Sequence, residues 1–195
     1  MLQVALIAGH GGSDTGTTNG DITESVWAHG CVLRIRDMLK SSPCDIAVVR
    51  RIGETLSLAG RGQRIKESGA GLAVCIHVDE AEDESWQGAL AFHWPNNWRG
   101  REVCKRIAMC MPDELRHIRP VQPATKDYWP RARNVLSFHP ANCTSVLVEV
   151  GRASNEGDSK FLRSMFGVDQ VAAAVVSGIL LWCEQETENV RRNEG

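Results

Sequence analysis

Gln3-Val4-Ala5-Leu6-Ile7-Ala8, running into Gly9-His10-Gly11-Gly12-Ser13-Asp14, is the stretch whose reading decides the fold. The first six residues read as a short buried strand, and Gly9 breaks it. His10 is left at the strand's carboxyl end, between glycines that have no side chains to cover it. Open α/β sheets bind their ligands at that edge. A histidine there can hold a metal, act as a base or cap a turn. What else reaches the same edge decides between these roles.

Working outward, Asp45 to Arg50 reads as a second strand. Leu72-Ala73-Val74-Cys75-Ile76-His77 is apolar on both faces, as a central strand should be. It also ends in a histidine, His77, followed by the acidic segment Val78 to Glu84. Ser145 to Val150 is a further clear strand, bounded by Gly151, and carries Glu149 near its carboxyl end. A carboxylate in an apolar strand is costly unless it is paired, hydrogen-bonded or bound to a metal. Gln87 to His93 and Asn134 to Phe138 are the remaining candidate strands.

Between them lie helical patterns. Trp27, Cys31, Ile35 and Met38 mark the buried face of a helix from Ile22 to Lys40, and Glu24 falls on that face one turn before Trp27. Further helices are expected over Leu56–Ser68, Arg99–Met111, Ser159–Phe166 and Val168–Glu184. The proline-rich stretch from Pro112 to Arg133 reads as loop, with Tyr128, Trp129 and Arg131 as candidate ligand contacts. Strands alternating with helices make this an α/β chain. At 195 residues it is expected to be one domain, 1–184, with a polar, frayed tail over 185–195.

Composition excludes several classes. The 43% hydrophobic and 24% charged content is that of a globular protein that needs no disulfides. Its seven cysteines are odd in number and contain no CxxC pair, which favours free thiols. A formal charge of −2 argues against nucleic acid as partner. No apolar window approaches about 18 residues, so no membrane partner is expected. Met1-Leu2-Gln3 lacks the basic start of a signal peptide, so cytoplasmic synthesis is expected. Neither a phosphate-binding Gly-Lys-Ser/Thr nor a Gly-x-Ser-x-Gly elbow is present.

His10, Glu24, His77 and Glu149 therefore stand at strand ends or at an adjacent helix start. Two imidazoles and one carboxylate make a catalytic zinc set with a fourth position left open. A second carboxylate is then free to serve as general base. Among the other histidines, His29 and His117 read as structural or solvated, whereas His93 and His139 sit near strand ends and could line a cleft. Trp86, Trp94 and Trp98 cluster around the fourth strand, where core packing or sugar stacking would use them.

With these residues in place, the chain resembles the zinc-dependent N-acetylmuramoyl-L-alanine amidases of the amidase-3 type, which cleave the lactyl amide of peptidoglycan. The family's glycine-histidine opening is matched by Gly9-His10-Gly11-Gly12-Ser13-Asp14, and its helix-start glutamate by Glu24. Its two arginines are matched by Arg51 and Arg61, and its Ser-Ile-His-Ala-Asn by Cys75-Ile76-His77-Val78-Asp79. Its Val-Glu-x-Gly with a following Ser-Asn is matched by Val148-Glu149-Val150-Gly151 and Ser154-Asn155. The resemblance implies a mixed, mostly parallel central sheet flanked by helices on both faces. It further implies one Zn2+ on His10, Glu24 and His77, with Glu149 catalytic. Arg61, Asp79, His93 and His139 are the candidate substrate contacts.

The chain departs from the family pattern at Ile7-Ala8, where Asp-Pro is usual, and at Cys75, Asp79 and Arg152, where serine, asparagine and an aromatic residue are usual. Cys75 should point to the same side of its strand as His77, where a thiolate could approach the metal, although an inert buried thiol is the expectation. Peptidoglycan is the expected partner of a monomer. A phage or prophage lysin released through a holin-type lesion is the setting that fits. A non-catalytic peptidoglycan-binding or regulatory module on the same scaffold is the alternative.

Overall fold

The computed structural model describes residues 1–116, 122–125 and 129–194. Its frame is a six-stranded sheet in which β1 (Leu2–Ala8) lies between β4 (Cys44–Val48) and β5 (Leu72–Asp79), parallel to both. β8 (Thr144–Arg152) runs parallel to β5 on its other side. β6 (Leu90–His93) is antiparallel to β8, and the two-residue β7 (Gln122–Pro123) closes the edge parallel to β6. A small hairpin, β2 (Thr18–Asn19) and β3 (Ile22–Thr23), leads into α1 (Glu24–Met38).

Alternation along the strands sends successive residues to opposite faces. Val4, Leu6, Val74, Ile76, Val146 and Val148 pack on one face under α1, α3 (Trp98–Cys110) and α6 (Gly167–Glu194). Ala5, Ile7, Ala73, Cys75 and Leu147 face the other way, under α2 (Leu58–Ser68) and α4 (Pro130–Leu136). α5 (Glu156–Leu162) follows β8, its cap made by Asn155, whose side chain accepts from the Asp158 amide. The expected mixed, mostly parallel sheet with helices on both faces is what is found.

Several boundaries differ for physical reasons. The first helix starts at Glu24 because Ile22 and Thr23 pair with Asn19 and Thr18. The strand expected from Gln87 begins only at Leu90, since the Gly88 amide instead donates to the buried Asp158 carboxylate. Asn134 to Phe138 is not a strand. Pro130 sits at the first position of α4, where its missing N–H costs nothing, and Ala132 and Leu136 bury one face of that short helix. In the tail expected to be frayed, residues 185–194 belong to α6, which carries an Arg99–Glu186 ion pair of 2.7 Å and a Thr187 hydroxyl bond to the Cys183 carbonyl. Contrary to expectation, α6 is also long and apolar enough to cross a membrane, although half of that window is buried here. Its Val171, Val175, Ile179 and Trp182 lie in the core. His117 and Tyr128 lie outside the described residues.

Candidate active site

The parallel strands β1, β5 and β8 end at one edge of the sheet, and each delivers a side chain there. β1 stops at Ala8, and the Gly9 amide still donates to the Ile76 carbonyl at 2.8 Å, so the loop leaves directly from the ladder. His10 then adopts φ 50°, a left-handed conformation uncommon for a residue with a side chain and often found at functional sites. A Cβ at Gly9 would run into the His77 ring, which explains why the loop begins on glycine.

Three groups converge. The His10 Nδ1 meets the Asp14 carboxylate at 2.9 Å, leaving Nε2 at 3.3 Å from Glu24 Oε2. The His77 Nδ1 lies 2.9 Å from Glu24 Oε1. Donor atoms of His10, Glu24 and His77 all fall within 4.8 Å of one another. Glu24 is buried and is placed by its own backbone, whose amide donates to the Thr17 carbonyl at 3.0 Å. Its two oxygens accept in turn from the amides of Val78 and Thr17, at 3.1 and 2.9 Å. Burial opposes its ionisation, but the hydrogen bonds from His10 and His77 outweigh burial and hold its carboxyl far below the usual range.

Two imidazoles and a carboxylate on one point fit zinc, with a coordination position to spare. The Asp14 carboxylate behind His10 is the outer partner that orients a ligating imidazole. His10 is held by Asp14 and Glu24 by two backbone amides, so the donor set is compatible with the ion.

Glu149 stands directly across from His77 in the β5–β8 register. It is 9% exposed, and its Oε2 is buried without a hydrogen-bond partner among the described residues. Burial pushes its carboxyl up to about 8; His77 pulls the other way, and Asp79 and Glu24 add to the rise. Both carboxylates and both histidines line one cleft of about 440 Å³, walled also by Thr17, Asp79, Arg131 and Asn134. A hydrolytic centre needs these parts: a cation site, a buried proton acceptor beside it, and room for a substrate.

The family profile described as N-acetylmuramoyl-L-alanine amidase, Amidase_3, matches residues 4–180. The chain belongs to that family.

A germination-specific N-acetylmuramoyl-L-alanine amidase of Bacillus subtilis is 26% identical over 191 residues, covering 91% of this chain and 78% of the relative. The CwlV amidase catalytic domain from Bacillus (Paenibacillus) polymyxa var. colistinus superposes with a TM-score of 0.82 at 20% identity, over 94% of this chain and 99% of that one. The CwlD amidase of Clostridioides difficile, solved with the GerS lipoprotein, gives 0.79 at 24% identity, over 94% and 99%. The fold is that of amidase catalytic domains.

Within this amidase, the expected substrate contacts are placed differently from one another. Arg61 turns away from the cleft: its guanidinium donates to the carbonyls of Ala8 at 2.7 Å, His10 at 2.6 Å and Leu56 at 3.1 Å, pinning the loop that presents His10. The arginine matched before it was Arg51, yet Arg51 is exposed and Arg50 is the buried one. Arg50 donates to the carbonyls of Gly9 at 3.2 Å and Ser25 at 3.1 Å, tying the His10 loop to the start of α1. Adjacent arginines after an apolar run carry no local signal of which one turns inward. Asn134, a cleft wall, was likewise hidden in a segment read as strand.

His93 is at the wrong end of the sheet. β6 runs antiparallel to β8, so its carboxyl end pairs with Val146 rather than Glu149. His139 is buried outside the cleft lining, with its Nδ1 unpartnered among the described residues. Burial, helped by the Arg61 charge, pushes its imidazole down to about 4. The folded state therefore favours the neutral ring. Stability present above the unfolded value of 6.5 should be lost as pH falls towards about 4, by up to about 3 kcal/mol. Urea unfolding of wild type and His139→Asn across that window should converge on acidification; parallel curves would contradict it. Cys75 is buried on the His77 side of β5 and interacts with that ring.

Two of the departures from the family pattern explain each other. Asp79 and Arg152 are cross-strand neighbours, both buried, with Arg152 Nε 3.2 Å from Asp79 Oδ2. The Arg152 guanidinium also lies 5.5 Å from the Trp86 ring centroid. Removing one member strands the other: Arg152→Phe alone is expected to cost about 3–5 kcal/mol in denaturant unfolding. Asp79→Asn added to it should recover most of that loss, and a strictly additive pair of changes would refute the coupling.

Proposed function

We propose that this amidase hydrolyses the amide between the lactyl group of N-acetylmuramic acid and L-alanine in peptidoglycan, with one zinc ion held by His10, Glu24 and His77. When bound there, zinc supplies Lewis-acid polarisation of the scissile carbonyl and lowers the pKa of water to about 7. Glu149 accepts the proton of the attacking water and passes it to the departing alanine nitrogen. The Oε2 of Glu149, buried opposite His77 with no hydrogen-bond partner among the described residues, is the observation that carries this role. Its raised pKa suits a group that must hold a proton in transit, while cationic charge at the cluster favours its carboxylate at the start of the cycle. Asp14, Arg50 and Arg61 keep His10 and its loop in place during this exchange.

The test is to incubate the protein with purified peptidoglycan and measure newly freed L-alanine amino groups. Release that stops with chelator and returns with zinc is expected. Release unaffected by exhaustive chelation would overturn the zinc assignment, and no release at all would overturn the activity.

A further inference from the structure

We propose that the end of the sheet opposite the catalytic cleft carries a second, non-catalytic site for a β-1,4-linked strand of N-acetylated amino sugars. The proposal takes the peptidoglycan reading above as its premise. Its centre is Trp98, the first residue of α3, which is 56% exposed. Large indoles are usually well buried, so a Trp left this open needs a reason. One is visible in how firmly the ring is held. The Arg99 guanidinium lies 5.1 Å from the Trp98 ring centroid, and Arg99 is itself ion-paired to Glu186 of α6 at 2.7 Å. The platform is braced before any ligand arrives, which lowers the entropy lost on binding.

Two grooves border this residue. One, of about 480 Å³, is lined by Trp94, Asn96, Asn97, Trp98 and Asn142 among others. The second, of about 390 Å³, shares Asn96, Asn97 and Trp98 and adds His93 and Arg101. Asn96 holds a left-handed φ of 63°, a conformation asparagine tolerates better than most residues. Asn97 commits its oxygen to the Gly100 amide at the start of α3. The exposed amides of Asn96 and Asn142 can both donate and accept, as the hydroxyl and acetamido groups of a sugar require, and indole faces stack on the apolar side of a pyranose ring. The described lining of both grooves contains no carboxylate, which argues against a cationic peptide as ligand. His93, expected in the catalytic cleft, belongs instead to this second site.

Position fits a polymeric substrate. Thr144 borders the first groove and Glu149 the catalytic cleft, both on β8. Five residue steps along the strand separate the two by about 17 Å. A long glycan can engage Trp98 while another part of the wall is cut, and the linkage raises the local concentration of substrate.

The experiment uses the intact protein and chitotetraose, a soluble β-1,4-linked N-acetylglucosamine tetramer, titrated by calorimetry. Turnover is measured in parallel on a small soluble muramoyl-peptide and on insoluble peptidoglycan. Trp98→Ala should weaken chitotetraose binding at least tenfold and slow insoluble turnover several-fold, leaving soluble turnover and thermal melting unchanged. Asn142→Ala should act in the same direction with a smaller effect. Wild type that ignores chitotetraose, a Trp98→Ala variant that binds it normally, or equal losses on both substrates would each overturn the site. If wild type cuts neither substrate, the amidase reading fails, and the calorimetry still decides whether sugar binds at Trp98.

Discussion

Glu149→Ala should lose about a thousandfold in turnover on peptidoglycan, within the range a positioned general acid–base supplies, yet retain its zinc. The reasoning rests on where the carboxyl sits. Glu149 is in β8 opposite His77, lines the cleft, and keeps one oxygen buried and without a partner among the described residues. Its removal takes away a proton carrier without touching His10, Glu24 or His77. It also removes a desolvated acid, so the variant should be at least as stable as wild type in denaturant. Glu149→Gln, which keeps the shape and loses the titratable proton, should be about as inactive. Near wild-type turnover in either variant would contradict the assigned role. An equal loss of zinc would move Glu149 from chemistry to metal binding.

Glu24→Ala should abolish turnover by a different route, through loss of the metal. The Glu24 carboxylate faces both imidazoles, at 3.3 Å and 2.9 Å, and accepts from the amides of Val78 and Thr17. Truncation removes the proposed ligand and leaves those two amides short of an acceptor. Zinc retention after dialysis should fall to background, and the metal-free variant should unfold at lower denaturant by about 1–3 kcal/mol. Glu24→Gln should recover part of the stability, because an amide oxygen still accepts hydrogen bonds, but little of the zinc. Full zinc occupancy in Glu24→Ala would contradict the ligand set.

Much of this site is legible in the sequence because it depends on features that local reading captures. An apolar run broken by glycine leaves His10 at a strand end, and the equivalent reading holds for His77 and for the misplaced acid Glu149. Glu24 is legible from helical spacing back from Trp27. What escapes depends on direction and on long-range partners. His93 ends a strand just as His77 does, and only the antiparallel pairing of β6 with β8 sends it to the opposite edge. Arg50 and Arg51 are chemically identical neighbours, distinguished only by carbonyls of Gly9 and Ser25 that are remote in sequence. Asn134 to Leu136 reads as strand but ends the helix α4, because a few apolar residues fit either period. The polar end of α6 stays helical partly through an ion pair to α3 that no local pattern reveals.

The convergence of residues far apart in the chain on a single ion is tested most directly by crystals grown with zinc and measured at the zinc absorption edge. One anomalous peak bonded to His10, Glu24 and His77, with Glu149 across the cleft and not bonded to it, is the predicted result. A peak elsewhere, or a zinc held without those three side chains, would contradict it.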